Sequence, residues 1–367
     1  MKIGLIGFPG CGKSTVFRLL TGREAPAGDR KRTPLGSAAV PDPRVDVLAD
    51  LYRPQKTTYA TLSVVEIPGL IPTQARGAGS AAGHLKGLDP KEFLDALRDV
   101  DALVHVVRAF PDPTVPHILG DIDPVRDAEL LHAELLLIDW QLVQTRLERL
   151  AQAKKRHPHH DQEVAVLTRL GAELEAGTPV HALALSEEER AVLRAYTFFT
   201  AKPLIVALNL SAEALTSPDG AERRARLQQA VGEHTPVIEL AAQVEAEILE
   251  LEPADRAPFM EELGLTEPGI QRVARAAYAR LGFISFFTVG EDEVRAWTIR
   301  RGATAQEAAG AIHSDIARGF IRAEVADYDA LVAAGGWNAL KERGGIRLEG
   351  KEYLVKDGDV MSFRFNV

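Results

Sequence analysis

Immediately after Met1 the chain reads Lys2-Ile3-Gly4-Leu5-Ile6-Gly7-Phe8-Pro9-Gly10-Cys11-Gly12-Lys13-Ser14-Thr15. Lys2 to Ile6 has the composition of a short buried strand. Gly7 to Ser14 fits the pattern Gly-x-x-x-x-Gly-Lys-Ser/Thr, and Val16, Phe17, Leu19 and Leu20 give the following residues one apolar helical side. Strand, glycine-rich loop and helix stand in the order that a phosphate-binding loop requires. The glycines let the loop from Phe8 through Pro9 to Thr15 wrap a polyphosphate, its backbone N–H groups (all but that of Pro9, which has none) converging on it, and the helix N-terminus adds positive potential. Lys13 is positioned for the β- and γ-phosphates, and the Ser14 hydroxyl for Mg²⁺. The expected fold is therefore α/β, with a parallel sheet presenting its site at the strand ends.

The rest of such a site should lie at later strand ends. Leu62 to Ile67 reads as a strand ending in Glu66-Ile67-Pro68-Gly69. Glu66 then stands where an acid helps to hold Mg²⁺, and Gly69 where an N–H faces the terminal phosphate. The glycine-rich stretch 73–87 has the composition of a mobile nucleotide-sensing segment. Two near-continuous apolar runs, 102–107 and 203–208, read as buried parallel strands. Asn209 and Leu210 end the second, at the base-recognition position. A guanine reader would show Asn-Lys-x-Asp there, and Asn209-Leu210-Ser211-Ala212 lacks both Lys and Asp. That loss leans towards adenine, with Asn209 expected to bond the base edge.

Composition narrows the remaining classes. The chain has 367 residues, 46% hydrophobic and 26% charged, enough for two or three domains with real cores. No run approaches the roughly 18 apolar residues of a membrane span. Cys11, the single cysteine, excludes an internal disulfide and fits a reducing, cytoplasmic setting. A formal net charge of −9 and 6% aromatic residues argue against a broad DNA- or RNA-binding surface. Any nucleic-acid contact has to be local, and Lys154, Lys155 and Arg156 form the densest basic cluster.

Several further segments resemble the YchF/Obg-like ATPase family of P-loop NTPases: Val40-Pro41-Asp42-Pro43-Arg44, Val104-His105-Val106-Val107-Arg108, Asp123-Pro124-Val125-Arg126-Asp127, Ile284-Ser285-Phe286-Phe287-Thr288, 293–299, 319–325 and Asp357-Gly358-Asp359-Val360-Met361. The resemblance spans essentially the whole chain. It implies a G domain (1–123 and 199–280), an inserted antiparallel helical hairpin (124–198), and a C-terminal ubiquitin-like β-grasp module, the TGS domain (281–367). It also implies Mg²⁺-dependent hydrolysis, with ATP often preferred over GTP, and ribosome association. By the same resemblance His117 matches a flexible-loop histidine that assists hydrolysis, and Thr33 falls in the switch segment as a Mg²⁺ or γ-phosphate ligand. Leu70 replaces a water-orienting Gln, so turnover should be slow.

The chain also departs from the family pattern. Gly10 and Cys11 replace Asn and Val in the phosphate loop, Ala212 replaces an acid, and Ala241-Ala242-Gln243 replaces Ser-Ala-Lys. These changes keep two alternatives open: a nucleotide-sensing scaffold with little hydrolysis, and a GTPase. Within the expected insertion, Leu136, Trp140, Val143, Leu147 and Leu150 recur at 4-3-4-3 spacing, a seam for a partner helix. Leu167, Leu170 and Leu174 supply its counterpart, and Lys154 to Arg156 lie at the tip, the candidate contact for ribosomal RNA. The segment 281–367 carries 11 basic against 13 acidic residues, so a role for it at the ribosome rests on the resemblance.

Overall fold

The computed structural model describes residues 2–23, 34–70, 90–153 and 157–366. The described strands are β1 (Lys2–Ile6), β2 (Leu35–Val40), β3 (Lys56–Thr58), β4 (Ala60–Glu66), β5 (Ala102–Ala109), β6 (Leu204–Leu210), β7 (Val237–Leu240), β8 (Phe283–Thr288), β9 (Glu293–Arg300), β10 (Phe320–Ala326), β11 (Arg347–Glu349) and β12 (Val360–Phe365). The chain separates into two compact units, residues 1–36 with 64–273, and residues 37–63 with 274–367.

The first unit holds β1, β5, β6 and β7 of a sheet ordered β2-β4-β1-β5-β6-β7. The β1–β5, β5–β6 and β6–β7 pairs are parallel. All seven residues of β6 are buried, as expected of a parallel strand covered on both faces. Helix Pro124–Ala151 starts cleanly because the Asp123 carboxylate accepts the N–H groups of Val125 and Arg126, with Pro124 in the first turn. Its first half buries Leu131 and Leu135 in the core with Leu103 of β5. Its second half pairs with helix His160–Glu175 through Val143, Leu150, Leu167, Leu170 and Leu174, with Leu136, Trp140 and Leu147 packed alongside. The seam expected from spacing is therefore the seam that packs. Gly171 is small where Gln144 and Val143 come close, and Arg146 bonds Glu163, so the two helices run antiparallel.

A carboxylate joins this helix to the strand that carries the base motif. Asp139 is fully buried and accepts from Phe199 N–H and Thr200 N–H at 2.8 Å and from the Thr200 hydroxyl at 2.7 Å. Burial pushes its carboxyl above the usual range despite these donors. The bonds fix the chain just before β6, and so fix the position of Asn209.

The second unit carries the order β11-β10-β12-β8-β9-β3. An antiparallel β8–β9 hairpin is followed by helix Ala305–Ile312, and the last strand, β12, pairs parallel to β8. That is a β-grasp arrangement. Thr304 and Glu307 form a reciprocal capping box at the helix start, and its alanines pack on Ile284, Phe286, Val325 and Met361. Two motifs with no evident role in the sequence meet here. Arg44 bonds Asp42 at 2.8 Å and Asp357 at 2.9 Å, and its guanidinium lies 5.0 Å from the centre of the Phe287 ring. Asp357 also accepts from Ser285 N–H.

This division differs from the boundaries expected from the resemblance. Residues 37–63, expected in the G domain, group with the C-terminal residues because β3 pairs parallel to β9. The division at 273/274 falls inside helix Gly269–Arg280.

Candidate functional site

The phosphate loop leaves β1 through three glycines with positive φ, at Gly7, Gly10 and Gly12. Gly12 has φ +97°, and a Cβ there would meet Asn209 Nδ2 at 2.3 Å. This position is therefore closed to any other residue by both backbone and space. Lys13 follows at the first turn of helix Lys13–Thr21. Its side chain is buried, with Nζ donating to the carbonyls of Gly7 at 3.1 Å and Phe8 at 3.0 Å. The ammonium is thus held inside the loop by neutral carbonyls, which a polyphosphate can outbid. Cys11 is buried beside it, and burial raises its thiol above the ordinary range. Phe8 is committed to the core. Pro9 abuts Gly69, where a Cβ would come within 3.0 Å of the proline nitrogen.

The expected metal-binding pair comes together. Ser14 Oγ donates to Glu66 Oε1 at 2.6 Å, although 52 residues separate them. Glu66 Oε2 is buried with no hydrogen-bond partner among the described residues. A hydroxyl and an orphaned carboxylate oxygen at the head of a phosphate loop are hard oxygen donors suited to Mg²⁺. Thr33, the third expected ligand, lies outside the described residues, as do the segment 73–87 and Lys154, Lys155 and Arg156.

A cleft of about 640 Å³ opens over the loop. Gly12, Lys13, Ser14 and Thr15 form its floor; Phe110 to Pro113 with Val115 form one wall, and Leu210 to Ala212 with Ala242 to Val244 the other. Arg108 shapes the first wall. Nearly fully buried, it donates to the carbonyls of Phe110, Asp112 and Val115 and stacks on the Phe110 ring.

Asn209 is anchored from both ends of its amide. Its Nδ2 donates to Cys11 O at 3.1 Å and its Oδ1 accepts from Ala242 N–H at 3.0 Å. The amide ties the phosphate loop to the helix at the far side of the cleft. Asn209 stands at the end of β6, as its place in the sequence implies, and beyond these two bonds its amide keeps one N–H and one lone pair.

His117 is also placed differently from the flexible-loop histidine that the resemblance implies. Its side chain is 3% exposed; Nε2 donates to Asp127 Oδ2 at 2.8 Å, and Nδ1 accepts from Leu119 N–H at 3.2 Å. Asp127, in the first turn of its helix, holds the ring inward. Leu70, at the position of a water-orienting Gln, is buried with Phe8 and Ile118. Sequence reading passed over Arg108 as a wall-builder and Asp139 as a strand anchor. An Arg ending an apolar strand and an Asp inside a helical seam were the available signals.

The parallel sheet, the phosphate loop with its Ser14–Glu66 pair, and the cleft above it define a P-loop nucleotide-binding protein. Family profiles agree: residues 2–138 match one described as 50S ribosome-binding GTPase, and residues 283–366 match a YchF GTPase C-terminal profile described as a protein of unknown function (DUF933). The Ribosome-binding ATPase YchF of Bacillus subtilis is 38% identical over 373 residues, covering 100% of both chains. That of Escherichia coli O157:H7 is 39% identical, covering 100% of this chain and 99% of its own. Obg-like ATPase 1 of Gallus gallus is 34% identical, covering 100% of this chain and 92% of its own. The structure of the Schizosaccharomyces pombe YchF GTPase superposes with a TM-score of 0.82 at 29% identity, over 99% of this chain and 97% of that one. The chain belongs to the YchF/Obg-like ATPase family of P-loop nucleotide hydrolases.

Proposed function

We propose that this protein is a slow, Mg²⁺-dependent ATPase that prefers ATP to GTP and whose nucleotide state governs docking to the ribosome. The observation that carries the catalytic part is the Ser14–Glu66 pair with its orphaned carboxylate oxygen, set beside the Lys13 ammonium. In this reading Ser14, Glu66 and Thr33 hold Mg²⁺, which neutralises phosphate charge when bound. Phe8, Gly10 to Thr15 and Gly69 supply N–H groups to the phosphates, with Pro9, which has none, shaping the loop. Lys13 leaves the Gly7 and Phe8 carbonyls to neutralise charge that builds on the β- and γ-phosphates. Asn209 keeps the loop in register with the base end of the cleft, and Leu210 lines that end. His117 takes part only once its bond to Asp127 is released. The buried Leu70 side chain, unable to orient water, favours a second reading in which the protein senses nucleotide and turns it over very slowly.

Ribosome binding comes from the names of the curated relatives and is assigned here to two modules, a helical insertion (124–198) and a C-terminal TGS domain (281–367), on a cytoplasmic protein. The insertion reaches rRNA through Lys154, Lys155 and Arg156. Co-sedimentation with ribosomes, in a non-hydrolysable ATP analogue and Mg²⁺, tests the assignment. Wild type should pellet with ribosomes and lose affinity steeply with salt. Reversing the three tip residues to Glu should weaken binding and flatten the salt dependence. Unchanged pelleting would remove the tip from the interface, and no pelleting of wild type would remove ribosome docking.

A further inference from the structure

The base end of the cleft holds a pair of side chains, one of which, Gln243, stands where the family pattern has Lys. Gln243 and Glu247 both line the cleft, one turn apart on helix Ala242–Glu250. Gln243 Nε2 donates to Glu247 Oε1 at 2.9 Å, and both side chains are otherwise exposed. Nearby, the Ala242 N–H is engaged by Asn209, whose amide is tied to both sides of the cleft and keeps one N–H and one lone pair. The acid expected two residues after Leu210 is Ala212. Gln243 and Glu247 stand in the same cleft lining as Asn209 and are free to face a base edge that Asn209 meets only in part.

A free glutamine amide can read either purine, because turning it over exchanges donor and acceptor. Glu247 removes that freedom. A carboxylate accepts and has no proton to give, so it holds the Gln243 NH₂ towards itself and leaves Oε1 pointing away. The amide keeps one unused N–H and one free oxygen, the donor–acceptor pair that matches the amine edge of adenine. Guanine would bring its 6-oxygen against an oriented acceptor.

We infer that Gln243 reads the 6-amino group of adenine and that Glu247 is a positioning residue that fixes the orientation of its amide. The inference rests on the ATP preference proposed above. Neither residue belongs to the phosphate loop, and an exposed i,i+4 pair contributes little to stability, so substitutions leave the fold intact.

Dissociation constants are measured for wild type, Gln243→Ala, Glu247→Ala and Glu247→Gln. The probes are non-hydrolysable ATP and GTP analogues and the triphosphate of purine riboside, which lacks the 6-amino group. Wild type should bind the ATP analogue roughly tenfold more tightly than the purine riboside nucleotide. Gln243→Ala should abolish that difference. Glu247→Ala should shrink the ATP-to-GTP ratio several-fold, and Glu247→Gln, able to donate to Gln243 Oε1, should shrink it further or invert it. If wild type prefers ATP and all three variants keep its ratios, this inference fails while the ATP reading stands. If the variants lose affinity equally for every probe, the pair is structural and the inference fails. A wild-type preference for GTP overturns the ATP reading itself.

Discussion

Lys13→Ala is expected to lower ATP turnover by about 10²–10³-fold, the usual result of removing one preorganised charge-stabilising donor from a transition state. The structure gives the reason and a complication. Nζ now satisfies the Gly7 and Phe8 carbonyls inside the loop, so its removal leaves two buried acceptors short and costs about 1–3 kcal/mol of stability. Lys13→Met keeps much of the side-chain volume and removes only the charge, and it should show the same catalytic loss. Circular dichroism and thermal unfolding of both variants, beside single-turnover rates, separate the two effects. A folded Lys13→Met protein that hydrolyses ATP at the wild-type rate would remove Lys13 from the chemistry.

Acid lability is the second large effect. His105 on β5 and His132 on helix Pro124–Ala151 face each other with ring centres 5.8 Å apart. His105 Nδ1 and His132 Nε2 are buried with no hydrogen-bond partner among the described residues. Burial holds His132 down to about 4, with His181 adding to the effect, and holds His105 well below its ordinary value of 6.5, with His132 and Lys13 adding to it. In the unfolded chain both regain ordinary basicity, so below pH 6.5 the unfolded state binds more protons than the fold. Stability is therefore complete above about pH 6.5 and is lost progressively as pH falls towards 4. For His132 alone the loss approaches about 3 kcal/mol. Denaturant midpoints at pH 7.5 and 5.0 should differ strongly in wild type and much less in His132→Leu. Equal pH slopes in the two proteins would mean that the pair does not carry the acid response.

The phosphate loop was legible because its chemistry is local: glycines, Lys13 and Ser14 lie within eight residues, and the flanking strand and helix announce themselves by apolar pattern. The helical pair was legible because Leu136 to Leu150 repeat with a period that a helix must bury. What stayed hidden depends on long-range meetings. The Asn209 amide reaches Cys11 across 198 positions, and no periodicity signals that an amide ties two distant segments together. His117 looked like a surface-loop histidine until Asp127 was seen to hold it. Residues 37–63 fall in the G domain by the resemblance, whereas the three-residue strand β3, too short to register as a pattern, ties them to β9. Arg44 and Asp357 were distinctive as motifs, and only the fold gave their meeting a reason.

The most direct measurement is the affinity for ATP and GTP analogues with Mg²⁺, taken beside steady-state hydrolysis of each nucleotide by wild type and Lys13→Met. Tighter binding of the ATP analogue is expected, with slow ATP hydrolysis that disappears in Lys13→Met. Tighter binding of GTP, or hydrolysis indifferent to Lys13, would contradict this expectation.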